Sequence, residues 1–196
     1  MTIELLAALS MFAFVSSITP GPNNLMLMTS GTNFGFKRTI PHMLGVGLGF
    51  TLMVLLVGLG AMQVFDWFPL SYEILKVASI VYLLYLAYKI AKTSEVSQSE
   101  DAKKPMTFIQ AALFQWVNPK AWTMAVTAIS VYAPSNEAFA VLNVALVFGI
   151  INLPCICSWI TLGQKIKHVL SNERRLKNFN YAMAGLLVLS VMPTLI

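Results

Sequence analysis

No charged residue stands between Glu4 and Lys37, and the apolar run between them is interrupted at Thr19-Pro20-Gly21-Pro22-Asn23-Asn24. A helix of about 20 apolar residues crosses the hydrocarbon of a bilayer. By that measure the hydrophobic pattern predicts six crossings, over about 3–31, 40–63, 70–91, 107–131, 137–163 and 177–195. The first is over-long and broken at 19–24. The fourth is broken at Asn118-Pro119-Lys120. The expected fold is an all-α polytopic membrane protein, one transmembrane domain over 1–196 with its first and fourth helices broken.

One polar stretch, TSEVSQSEDAKKP at 93–105, divides the pattern. It is mixed in charge and poor in apolar residues, so a mobile linker is expected over 92–106. Three spans precede it (1–91) and three follow (107–196). Halves with an odd number of spans run in opposite directions, which predicts a 3+3 inverted repeat. Pro20 and Pro119 are 99 residues apart, and so are Tyr82 and Tyr181.

Composition excludes a soluble domain. The chain is 57% hydrophobic and 11% charged, against about 25% charged in soluble domains. The net charge of +5 reads as the basic excess of cytoplasmic loops, not as nucleic-acid binding. Eleven of the thirteen Lys and Arg fall in alternate connections: Lys37 and Arg38; Lys89, Lys92, Lys103 and Lys104; Lys165, Lys167, Arg174, Arg175 and Lys177. Those connections are expected in the cytoplasm and both termini outside. Trp67, Phe68 and Tyr72 fall where an outer aromatic belt belongs. The N-terminal stretch has no positive start and no small-x-small cleavage site, so it is expected to remain as the first span.

The two breaks carry the candidate chemistry. Proline lacks an N–H and clashes with the preceding turn. In lipid each freed backbone group costs several kcal/mol unless protein or water satisfies it. Residues Thr19, Pro20, Gly21, Pro22, Asn23 and Asn24 should therefore face a cavity or another helix, with Asn23 or Asn24 capping the second half-helix. In the fourth span Asn118 suits an N-cap and Pro119 a first helical position. Lys120 follows at mid-span, where a lysine costs about 2.5–3.5 kcal/mol on insertion scales. All eight acids lie at helix ends or in loops, so its counter-charge is a carbonyl cluster, water or a ligand. Two half-helix N-termini and one cation make an anion-attracting site, and an amino-acid carboxylate fits it. Asn23, Asn24, Gln115 and Asn118 supply hydrogen bonds, and unwound carbonyls at 18–21 accept them from an ammonium group. Blander readings are proline kinks that are only structural, and a Lys120 that snorkels to the interface.

Other motifs read as structure. Asn152 and Pro154 suggest a kink with a local hydrogen bond. Gly45 and Gly49 suggest close helix packing, within the chain or in a homodimer. His42 reads as an interfacial histidine, with proton relay as the other reading. Cys155 and Cys157 point to different sides of a helix and read as packing residues. With His42 and His168 distant in sequence from them, no metal site or cofactor is expected.

At these residues the chain resembles the LysE/RhtB amino-acid exporters. T-P-G-P-N-N at 19–24, G-F-K-R at 35–38, and Gly45 and Gly49 resemble the family's N-terminal signature. Asn118-Pro119-Lys120 resembles its second hallmark, and A-L-F-Q-W-V-N-P-K with V-T-A-I-S is most similar to the cysteine/O-acetylserine branch. The resemblance implies a bacterial inner-membrane transporter, not an enzyme. It implies efflux of amino acids or close derivatives, commonly by proton antiport, with Pro20, Gly21, Pro22, Asn23, Asn118, Pro119 and Lys120 shaping the path. Some members carry an acid after P-G-P where this chain has Asn23, so no buried carboxylate proton carrier is visible. Coupling then runs through Lys120, Glu4 or Asp66, or is absent. The competing readings are a passive channel for small zwitterions and a thiol-based membrane electron carrier.

Overall fold

The computed structural model describes residues 1–92, 104–133, 137–170 and 172–190, all helical apart from short connections. The linker expected over 92–106 lies, except at its ends, outside the described residues, as does the end of the sixth expected span. The helices are α1 (Ile3–Ile18), α2 (Pro22–Phe34), α3 (Phe36–Leu56), α4 (Gln63–Trp67), α5 (Leu70–Lys92), α6 (Phe108–Phe114), α7 (Pro119–Tyr132), α8 (Ala138–Val169) and α9 (Glu173–Leu189). A wide π turn, Val57–Ala61, extends α3, and a 3₁₀ turn, Gln115–Val117, extends α6.

Three helical stretches are long and apolar enough to cross a membrane: Phe36–Ala61, Leu70–Lys92 and Ala138–Lys167. The α1–α2 pair, bent by 54° at residues 19–21, makes a fourth if taken as one broken span. The α6–α7 stretch and the 17-residue α9 do not meet that measure. Length and composition thus support three spans or four.

Several boundaries move from their expected places, for local reasons. The second span starts at Phe36 because Gly35, the single residue between α2 and α3, adopts φ 81°. Only glycine takes that conformation without strain, and its N–H closes α2 onto the Gly31 carbonyl. The same helix loses α-geometry near Ala61 because Gly60 has φ 106°. At its far end α8 runs past residue 163 to Val169, since Gln164, Lys165 and Lys167 continue the helix beyond its apolar part.

α8 is the central pillar and packs on α1, α2 and α3, while α5 pairs with α9. One core cluster joins α1, α3, α7 and α8. Phe148 stands between Phe12 (centroids 5.9 Å apart) and Phe50 (5.0 Å), and α7 offers Ala121, Ala125 and Ala128 from one face. Glycines set the closest crossings. A Cβ on Gly49 would stand 2.7 Å from Ala112 Cα, and one on Gly45 would overlap the Phe108 carbonyl. Both glycines of the G-x-x-x-G are therefore taken up by α6 within the chain, as close packing predicts. Large apolar side chains such as Leu48, Ile109 and Ile150 point outward, the arrangement that lipid favours.

Candidate functional site

The break between α1 and α2 is narrower than the sequence suggests. Only Thr19, Pro20 and Gly21 leave the helix, and Pro22, Asn23 and Asn24 form the first turn of α2. Proline at position 20 biases Thr19 to its extended conformation (ψ 145°). Neither asparagine caps α2. Gly21 holds the N-cap position with no side-chain bond, and Pro22 is the first helical residue. Asn24 turns backwards instead. Its Nδ2 donates to the Ser17 and Thr19 carbonyls, both at 2.8 Å, so it closes the end of α1.

Every carbonyl from 16 to 21 has a donor, those of the exposed Thr19 and Pro20 included. Thr19 Oγ1 donates to Ser16 O at 3.0 Å, and Trp159 Nε1 of α8 donates to Ile18 O at 3.2 Å. Lys120 Nζ donates to Thr19 O (2.8 Å), Thr19 Oγ1 (2.9 Å) and Pro20 O (3.2 Å). The Leu25 N–H takes Gly21 O at 2.9 Å. The Lys120 ammonium thus rests on a carbonyl cluster at the negative end of the α1 dipole. Gly21 makes room for it: a Cβ there would stand 2.7 Å from Lys120 Cδ.

The second break is narrower still. Asn118 alone is non-helical, and its Oδ1 accepts the Lys120 N–H at 3.2 Å as an N-cap. Pro119 is the first residue of α7, as expected. One turn earlier the fully buried Gln115 meets Asn23 across the interface in two amide bonds, 2.8 and 3.2 Å, and Gln115 Nε2 also donates to Ala111 O. Asn23 and Gln115 act as one unit, so Asn23→Ala and Gln115→Ala should be non-additive. A double-mutant cycle on thermal unfolding in detergent should show a coupling of about 0.6–1.7 kcal/mol.

Of the ten sequence-predicted site residues, Gly21, Asn23, Asn24, Asn118 and Lys120 line one cavity where the two breaks face each other, and Thr19, Pro20 and Gln115 are hydrogen-bonded to Lys120 or Asn23, whereas Pro22 and Pro119 do not line it. The cavity is small and partly open, about 30 Å³, lined by Ser17, Asn23, Asn24, Asn118, Lys120 and Asn152 among others. It has room for about one water molecule, not for an amino acid. Pro119 faces a larger cleft of about 590 Å³ between α5 and α7.

Sequence reasoning missed several of these groups. Asn152 belongs to the cavity wall rather than to a local hydrogen bond, and α8 passes Pro154 as one continuous helix. A buried asparagine within a span was the available signal. Ser17 lines the same cavity, and its hydroxyl has no partner among the described residues. Trp159 gave no sign of its role, because its acceptor lies 141 residues away. Asn33 of α2 and Asn180 of α9 form a further amide pair, at 3.0 and 3.2 Å. His42 is buried within the bundle.

The cysteines are free: Cys155 is buried, and Cys157 lies 3.3 Å from Met43 Sδ. Among the described residues no group of His, Cys, Asp or Glu could hold a metal. A Cys155→Ala/Cys157→Ala protein should transport as the native one does. Loss of transport at equal membrane abundance would revive the thiol reading.

Comparison with known proteins adds to this geometry. The sequence pattern of the family described as LysE type translocator matches residues 14–195. A cysteine/O-acetylserine efflux protein of Escherichia coli (strain K12) is 31% identical over 192 residues, 96% of each chain. Proteins of the same name from Shigella sonnei (strain Ss046) and Escherichia coli O139:H28 (strain E24377A / ETEC) are 31% and 30% identical over the same share. No solved structure matches the chain.

Proposed function

The chain belongs to the LysE type translocators, transporters rather than enzymes, and on that premise we propose that it exports small neutral amino acids or close derivatives. Cysteine and O-acetylserine, named for the relatives, are the first substrates to test. The observation that carries the reading is the meeting of both breaks at Lys120, whose ammonium rests on the carbonyls of Thr19 and Pro20.

The arrangement suggests a swap. An amino acid brings an ammonium and a carboxylate. Its ammonium is the chemical equal of the Lys120 head group and can replace it on the carbonyls of 19 and 20. Lys120 is then free to pair with the carboxylate, with Asn23 and Asn118 beside it. Entry requires the 30 Å³ cavity to enlarge. The three-residue hinge at 19–21 supplies the freedom, because a few terminal residues can absorb a large φ/ψ change. Alternating access around a fixed mid-membrane site follows.

The six-span, 3+3 inverted arrangement belongs to the same proposal. Elements related by the 99-residue offset pack on each other: α5 carries Tyr82 and pairs with α9, which carries Tyr181, and the Pro20 break faces the Pro119 break. The basic connections lie in the cytoplasm and both termini outside, in a bacterial inner membrane. Protons are the proposed coupling ion.

Mass spectrometry of the medium of cells overexpressing the chain, beside cells with empty vector, tests the function. One or a few neutral amino acids should rise outside. An unchanged medium, with the protein present in the membrane, would count against export.

A further inference from the structure

Near the start of α3, four residues from Arg38, His42 is 2% exposed, and neither ring nitrogen has a hydrogen-bond partner among the described residues. A neutral imidazole carries one N–H donor and one acceptor, and folded interiors seldom leave both unmade. The ring lines a cavity of about 60 Å³ with Thr29 and Ser30 of α2, Lys89 of α5, and Lys104. The nearby hydroxyls are committed elsewhere. Ser30 and Thr39 pair at 2.9 Å, Thr39 also donates to Gly35 O, and Thr29 donates to Leu25 O.

Among the described residues, the charged side chains that line the same cavity as this ring are Lys89 and Lys104. On its own helix Lys37 and Arg38 are exposed about one turn away. Among the described residues no acidic side chain lines the cavity. A proton on His42 would thus place a buried charge in the same cavity as two lysines, with no hydrogen-bond acceptor and no carboxylate for it among the described residues. The closed packing cannot hold that charge. Water can, once α2 and α3 part. The same face of α3 continues through Val46 and Phe50, about 6 and 12 Å further along the axis, and both line the cavity beside Lys120. Parting at His42 therefore moves the wall of the substrate site.

We propose that His42 is a proton-binding site whose occupation is linked to opening of the basic end of the bundle, so that a proton gradient drives transport through it. The inference rests on the transporter reading above. The step is a proton transfer alone. The free ring nitrogen takes a proton from water, the imidazolium holds both N–H bonds while hydrated, and the proton returns to water on re-closure.

The test uses the full chain in proteoliposomes with radiolabelled cysteine kept reduced. Two fluxes are measured: exchange at equal pH, and accumulation driven by an acidic lumen. The native protein should show both. His42→Gln, which keeps a polar side chain but does not titrate, should keep exchange and lose the accumulation that the gradient adds. Accumulation by His42→Gln equal to native, or native accumulation indifferent to the gradient, would overturn the proposal. His42→Asn covers the case of a damaged fold. If both variants lose exchange as well, His42 is a packing residue and the proposal fails. Absence of exchange by the native protein would instead bring down the transporter reading, and this inference with it.

Discussion

Export falls at least about tenfold when Lys120 is replaced by alanine, while the protein reaches the membrane at native abundance. The magnitude follows from the bonds at stake, since a hydrogen bond to a charged group contributes about 1.5–3 kcal/mol, and each 1.4 kcal/mol is tenfold. Alanine removes the only cation that the described residues place at the meeting of the breaks and leaves Pro20 O without its donor. The end of α1 nonetheless stays closed. Asn24 still holds Ser17 O and Thr19 O, and Trp159 still holds Ile18 O. Folding and transport should therefore separate in this variant. Arginine should not substitute, because the passage beside Gly21 is already filled at 2.7 Å by the slimmer lysine stem, counted from a Cβ at that glycine. The measurement is amino-acid export to the medium at matched abundance. Native flux from Lys120→Ala would remove the lysine from the mechanism.

Gly163→Val should have the larger effect on the fold itself. Where α2 crosses α8, a Cβ on Gly163 would overlap the Met28 carbonyl, and one on Gly31 would overlap the Ile160 carbonyl. Both obstacles are backbone, so no side chain can turn aside. The helices cannot separate freely either, because Thr32 Oγ1 donates across the crossing to Gly163 O at 2.9 Å. Overpacking of this kind typically costs about 1–3 kcal/mol, a sizeable share of the roughly 5–15 kcal/mol that holds an ordinary domain together. Gly163→Val and Gly31→Val should each lower the apparent melting temperature in detergent and the yield of monodisperse protein. Gly185→Ala is the control: nothing lies within 4 Å of its added Cβ, so no loss is expected. Native melting of Gly163→Val would mean that the crossing is looser than these contacts require.

The site was legible in the sequence to an unusual degree because membrane burial penalises local irregularity so strongly. Prolines at 20, 22 and 119 and a lysine at 120 have no inexpensive place in an apolar span, so their presence alone marked the two breaks. The direction of the asparagines was not legible. Asn24 has the chemistry of an N-cap, but the proline at 22 starts the helix one residue after Gly21, and the nearest unmet acceptors lie behind it at Ser17 and Thr19. Asn152 and Trp159 were hidden for a different reason. Their roles depend on how α8 is rotated against α1, and no local pattern encodes that rotation.

Taken alone, the chain of residues determined the helical class and the places where the backbone breaks. Each of these depends on a cost that one residue or one short segment incurs by itself in lipid. Tertiary structure alone decided what satisfies the breaks. It put Lys120 on carbonyls 100 and 101 residues away, joined Asn23 to Gln115, kept the cavity to about 30 Å³, and left His42 buried without a hydrogen-bond partner among the described residues. Those outcomes follow from which helix faces meet, and that is set by glycine clearances and side-chain packing across the whole bundle rather than by any stretch of sequence.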